Sequence, residues 1–229
     1  MLKELPGFLK GLHVPEDAVA PKPMDRLPWE GGYSLERKNE AYTYGGKVNY
    51  VARCGNYLAH GFEPHGSMQV LRQIMNHDYL WQNLRVKGGA YGCGLSIADT
   101  TGGVAFYSYR DPNIRETNRV YEEATDYVRT LELDERELTK YVIGTISTAD
   151  RPMAVSLDGE YAFSAYFTGV TEEIRQRHRN QILDVTVGQL REKADMLAAV
   201  LADGVVCCVG GEEAVRRDAD VFKTVKGFR

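Results

Sequence analysis

The residues best equipped to act on another molecule lie close together in the stretch Leu84-Arg85-Val86-Lys87-Gly88-Gly89-Ala90-Tyr91-Gly92. A guanidinium presents five N–H donors in a fixed fork, and a phenol presents one O–H that can be aimed. Side by side, Arg85 and Tyr91 could hold a peptide carbonyl while its oxygen gains negative charge, which is the work of an oxyanion hole. Their meeting depends on Gly88 and Gly89, which accept backbone angles that a Cβ excludes and so let the chain turn sharply. Arg-x5-Tyr is a loose pattern. Spacing alone favours the plainer account of a capped helix end with a surface arginine and a strand tyrosine.

Other chemistry-bearing groups are less well arranged. In His60-Gly61-Phe62-Glu63-Pro64-His65 the histidines are five apart and Pro64 breaks any helix. A helical zinc motif needs its two histidines one turn apart on one face, so these are expected to be loop residues. No His-Glu-x-x-His, His-x-x-Glu-His, Gly-x-Ser-x-Gly or Gly-x4-Gly-Lys sequence occurs. Asp111, before Pro112, reads as a turn residue, and Asp158 as a first-turn charge favoured by the helix dipole. Arg175, Arg177, His178 and Arg179 read as a solvated basic helix face, with an acidic partner as the second reading.

The flanking elements must bring Arg85 and Tyr91 together. Met68, Leu71, Met75 and Tyr79 form one apolar stripe and predict a core-facing helix from Ser67 to Leu84. This places Arg85 at the helix end. Strands are expected over Tyr91–Ala98 and Val104–Tyr109, joined by the turn sequence Asp99-Thr100-Thr101-Gly102-Gly103. Upstream, Glu40–Ala52 reads as strand, with Gly45-Gly46 as either a hairpin turn or a bulge. Downstream, helices are expected from Arg115 to Thr130, from the Asp134/Glu137 capping box to Ala149, and over Ser156–Phe167, Thr171–Leu183 and Thr186–Leu201. Val205–Val209 reads as a buried strand, followed by a last helix from Gly210 to about Val225. Strands come early and helices cluster late. The pattern predicts an α+β fold: a mostly antiparallel sheet with helices packed on one face.

Two domains are expected: residues 1–30, a helix over Leu2–Leu12 and a proline-rich connector left from a preceding unit, and residues 31–229, the α/β domain. The helix begins abruptly, which favours a fragment of a longer chain over a natural subunit. The net charge of −4 provides no basic field for phosphate, so no nucleic-acid partner is expected. No apolar run reaches membrane-spanning length and no signal peptide opens the chain, so no membrane partner is expected. Cys54, Cys93, Cys207 and Cys208 contain no Cys-x-x-Cys pair. They read as reduced, buried thiols of a cytoplasmic protein, with Cys207 and Cys208 on opposite faces of their strand.

Several blocks carry a resemblance. They are Val48-Asn49-Tyr50-Val51, the Leu84–Gly92 stretch, Ser108-Tyr109-Arg110-Asp111-Pro112-Asn113, Leu138-Thr139-Lys140 through Ile143-Gly144-Thr145-Ile146, and Gly169-Val170-Thr171-Glu172-Glu173-Ile174-Arg175-Gln176-Arg177. From about Asn39 to Val225 the chain resembles the C-terminal region of presequence-protease-type enzymes, a branch of the insulinase/pitrilysin-like zinc metallopeptidases. The resemblance implies one α/β half of a clamshell whose two homologous halves enclose a chamber. It implies a catalytic Tyr91 donating to the developing oxyanion and a catalytic Arg85 holding a substrate carbonyl. Gly88, Gly89 and Ala90 are expected at the substrate. Zinc, its ligands and its glutamate base belong to the N-terminal half, so none is expected in this chain. The implied partners are an unfolded peptide and that zinc-binding half, in the same chain or a separate subunit. Alone, the chain is expected to be inactive. The alternative is a non-catalytic peptide-binding or assembly subunit paired with a zinc-bearing partner.

Overall fold

The computed structural model describes residues 36–152 and 154–228. The expected Leu2–Leu12 helix and proline-rich connector lie outside the described residues. Strands β1 (Glu40–Tyr44) and β2 (Asn49–Asn56) open the fold, and a 3₁₀ turn at Leu58–His60 leads to helix α1 (Ser67–Ile74). Helix α1 runs on through two π-helical stretches, Met75–Tyr79 and Trp81–Lys87, into β3 (Gly92–Ile97) and β4 (Gly103–Asp111). Five helices follow: α2 (Arg115–Arg129), α3 (Glu135–Ala149), α4 (Val155–Thr168), α5 (Glu172–Leu183) and α6 (Val187–Ala202). Then come β5 (Val205–Gly211), the short α7 (Glu212–Arg217) and β6 (Thr224–Gly227).

The fold is α+β, as the element order predicts. The six strands form one sheet in the order β3-β4-β2-β5-β1-β6. The pairs β3–β4, β2–β4 and β2–β5 are antiparallel, while β1 runs parallel to β5 and β6. Gly45-Gly46 therefore makes neither a hairpin nor a bulge, because β5 lies between β1 and β2. The loop carrying Gly46 crosses the end of β5 so closely that a Cβ on Gly211 would come within 2.5 Å of the Gly46 carbonyl oxygen. The last helix is shorter than expected. Arg217 ends α7, and the Thr224–Gly227 segment pairs with β1 as an edge strand instead of extending the helix.

Where the stop and start signals are local, they hold. Asp134 and Glu137 close a capping box on α3, and Thr186 and Gln189 close one on α6. Gly169 ends α4 in the left-handed conformation, at φ 71°. One sheet face packs on the helices through Ala41, Val51, Leu95, Phe106, Val206 and Cys208, all essentially inaccessible. Leu71, Ile74, Tyr121, Val128 and Leu197 meet them from the helical layer. Each fully buried Val, Leu, Ile or Phe among them contributes about 1.5–3 kcal/mol by leaving water.

The other face has no helical cover among the described residues. There β4 lays Tyr107 and Tyr109 across Gly94 and Gly92, their partners on β3. A Cβ on Gly92 would fall 2.2 Å from the Tyr109 ring, so the glycines make room for the rings. Helix α4 is apolar and open, with Val155, Phe163, Tyr166 and Phe167 all exposed. No helix among the described residues is long and apolar enough to cross a membrane. Of the four thiols, Cys208 is buried as expected, but Cys54 and Cys207 are exposed, because they alternate onto the open sheet face.

Candidate functional site

Arg85 reaches the site on the final, π-helical part of the helix that α1 begins. Wide i→i+5 turns are rare and are frequent at functional sites. The helix runs past Leu84, its expected end, to Lys87. Two asparagines support the widened turns. Asn83 donates to the Tyr79 carbonyl at 2.8 Å. Asn76 pairs with the backbone of Leu95 on β3, donating to its carbonyl at 3.1 Å and accepting its N–H at 2.5 Å. The helix end is thereby tied to the strand that Tyr91 introduces.

The Gly-Gly turn is real. The amides of Gly88 and Gly89 point back at the Arg85 carbonyl, and the Ala90 amide donates to Leu84 O at 2.9 Å. Gly89 takes φ 80°, a left-handed value that a Cβ makes costly. Ala90 is buried with its amide spent inside the turn, while Gly89 stays exposed at the surface.

The turn brings the two chemical side chains together. The Arg85 guanidinium carbon stands 5.4 Å from the Tyr91 ring centroid and 4.6 Å from that of Trp81. Tyr91 is 56% exposed, and its ring meets Tyr109 edge-on at 5.6 Å. Neither the Tyr91 hydroxyl nor the Arg85 guanidinium is engaged by a hydrogen bond or ion pair within the described residues, so both keep their donors for an outside acceptor. Cation–π contact fixes the arginine without using its N–H groups.

Sequence reasoning missed three supporting residues. Arg110 brings a second guanidinium to the Tyr91 ring, again at 5.4 Å. It is the one non-glycine with positive φ among the described residues, at 49°, and its carbonyl accepts the Tyr91 amide at 3.3 Å. Backbone strain of this kind collects at working sites. Asn113 donates from its side chain to the Gly88 carbonyl at 2.8 Å, buttressing the turn from the end of β4. Asn49 is buried and donates to the Asp111 carbonyl at 2.9 Å. No local sequence pattern announces these contacts, because each joins segments far apart in the chain.

Asp111 holds this bracket, in keeping with its reading as a turn residue. Its carboxylate accepts the Asn113 amide at 2.8 Å and the Thr117 hydroxyl at 2.7 Å. Burial pushes its carboxyl up, against the pull of those hydrogen bonds. A raised folded-state value gives stability that is fully present in acid and lost as pH rises through it. Asp111→Asn keeps the shape and removes the charge. Its melting temperature relative to wild type should therefore be most favourable near neutrality, and the difference should shift toward wild type as pH falls to about 3. Thermal melts of both proteins across that range check this; a pH-independent difference would refute it.

The other sequence candidates sit elsewhere. His60 pairs with Asp203, 3.1 Å from Nε2 to Oδ1, and His65 Nδ1 accepts the Ser67 amide at the start of α1. Asp158 is exposed in the first turn of α4.

The chain as a whole is similar to known proteins. The family model described as the PreP C-terminal domain matches residues 39–212. Protein HypA of Clostridium perfringens is 39% identical over 197 residues, which cover 86% of this chain and 20% of that protein. Presequence protease 1, chloroplastic/mitochondrial, of Arabidopsis thaliana is 34% identical over 215 residues, covering 90% of this chain and 20% of that protein. The chain thus spans about a fifth of the length of these curated relatives. Among solved structures, the periplasmic protease PqqL from Escherichia coli superposes with a TM-score of 0.60 at 13% identity, over 94% of this chain and 26% of that one. A peptidase M16 inactive domain from Pseudomonas fluorescens gives 0.56 at 13% identity, over 78% of this chain and 46% of that one.

Proposed function

Because the chain belongs to the PreP C-terminal domain family of insulinase/pitrilysin-type metallopeptidases, we propose that it supplies the substrate-holding and transition-state-stabilising residues of a zinc metalloendopeptidase that cuts unfolded peptides. The observation that carries this reading is the meeting of Arg85 and Tyr91 across the Gly88–Gly89 turn, with the donors of both unspent. Tyr91 donates its O–H to the scissile carbonyl oxygen as charge builds there. Arg85, stacked on Trp81 and Tyr91, holds a neighbouring carbonyl with its fork. The Gly88–Gly89 turn is the wall beside the substrate, where the two glycines let a backbone come close, and Ala90, expected there too, is instead buried beneath it as the turn's anchor. The exposed tyrosines of the open sheet face, Tyr50, Tyr107 and Tyr109, extend this surface as an aromatic floor for an extended chain.

Among the described residues no three His, Cys, Asp or Glu side chains are grouped as metal ligands would be. The described residues do not fit a zinc site, and the metal would belong to a separate zinc-binding half. A second reading, a non-catalytic peptide-binding or assembly subunit, draws on the Pseudomonas structure, which is described as an inactive domain.

The test is hydrolysis of an unfolded peptide in the presence of zinc, by this chain alone and by this chain joined to a zinc-bearing half. Activity should appear only in the joined form. Hydrolysis by the isolated chain would overturn the reading. A joined form that binds peptide and leaves it intact would favour the second.

A further inference from the structure

On the helical side of the molecule, away from Arg85 and Tyr91, a cavity of about 590 Å³ opens between α1, α3, α4 and α5. Its wall carries four guanidinium groups, from Arg72, Arg151, Arg175 and Arg179, against three carboxylates, from Asp99, Asp150 and Glu172. The pairing leaves positive charge over. Arg179 grips Asp150 through Nε at 3.0 Å and Nη2 at 2.7 Å. Arg175 pairs with Glu172 on its own helix. Asp99 accepts from the Gln69 amide at 2.9 Å and lies 3.6 Å from His178 Nδ1.

Arg72 has no such partner among the described residues. Its Nε is closed off from solvent and meets no acceptor, and His178 Nε2 shares that condition. A shielded donor left unpaired costs about 1–3 kcal/mol, so the Arg72 Nε–H calls for a ligand that accepts. A guanidinium fork is matched by the paired oxygens of a carboxylate or a phosphate.

We propose that this cavity is an oxyanion-binding site in which Arg72, beside His178, receives a carboxylate or phosphate group. The proposal is independent of the peptidase reading, because none of its residues touches Arg85 or Tyr91 and it needs no zinc-bearing half.

The test uses the 229-residue chain, nitrogen-15 labelled, with the arginine Nε–H resonances followed by NMR at constant ionic strength. Inorganic phosphate and acetate are titrated in separate arms, which tells a phosphate from a carboxylate ligand. The Arg72 Nε–H signal, identified by its absence in Arg72→Lys, should shift saturably with at least one anion. Arg72→Gln should weaken that binding about tenfold or more, and Arg72→Lys, which keeps the charge and loses the fork, should weaken it too. The backbone amide spectrum shows whether each variant is folded. Should Arg72→Gln not fold, Arg72→Lys and the wild-type titration still decide. Failure of both anions to saturate below roughly 50 mM would overturn the proposal, as would wild-type affinity in a folded Arg72 variant.

Discussion

Tyr91→Phe should lower kcat of the zinc-bearing assembly by roughly 10²–10³, with little change in KM and none in melting temperature. The separation of effects follows from the contacts. Phenylalanine keeps the ring that stacks between Arg85 and Arg110 and meets Tyr109 edge-on. The substitution removes only the O–H, which no described residue engages. Nothing in the fold is left unpaired, so stability has no reason to move. An interaction made only in the transition state lowers kcat and kcat/KM together when it is lost. Unchanged kcat in Tyr91→Phe would remove Tyr91 from the chemistry and leave the turn as a binding surface.

Arg85 supplies the contrast. Its guanidinium holds Trp81 and Tyr91 in place as well as offering donors, so truncating it disturbs binding, geometry and the tyrosine at once. The phenylalanine substitution is the cleaner probe.

That Arg85 and Tyr91 would stand side by side was legible locally, because a helix end, two glycines and a strand start bring them together in one turn. Spacing alone favours a surface arginine and a strand tyrosine, and only the resemblance singles them out as a working pair. The capping boxes at Asp134 and Thr186 were legible for the same reason, since cap and partner lie three residues apart. Non-local events were not. Nothing near Gly45-Gly46 shows that β5, arriving from the far end of the chain, will slot between β1 and β2. The edge strand β6 was hidden because its short, mixed run of Thr, Val and Lys gains its hydrogen bonds only from β1. The π-helical turns leave no mark on the apolar stripe, which reads the same for either helix over so few residues. The bracket at Asp111 joins asparagines whose side chains are also ordinary in turns, so their role shows only when the segments are placed together.

That bracket carries the second large effect. Asn49→Ala should destabilise the folded chain by about 2–6 kcal/mol, read as a fall in the denaturant midpoint at unchanged slope. Asn49 is fully buried; its amide donates to the Asp111 carbonyl at 2.9 Å and its oxygen accepts the Gly211 amide at 3.1 Å. Alanine orphans both backbone groups at the ends of β4 and β5, each at a cost of about 1–3 kcal/mol. The packing offers no easy repair, since even a Cβ on Gly210 would come within 2.5 Å of the Asn49 oxygen. A positional consequence follows from the same bonds. Asp111 holds Asn113, and Asn113 holds the Gly88 carbonyl, so a loosened Asp111 frees the turn that sets Arg85 beside Tyr91. In variants kept folded at low temperature, Asn49→Ala and Asn113→Ala should each reduce kcat/KM, and the double variant should lose less than the sum because both break one chain of contacts. Additive losses would show that Asn49 supports the sheet alone and that Asn113 sets the turn without it.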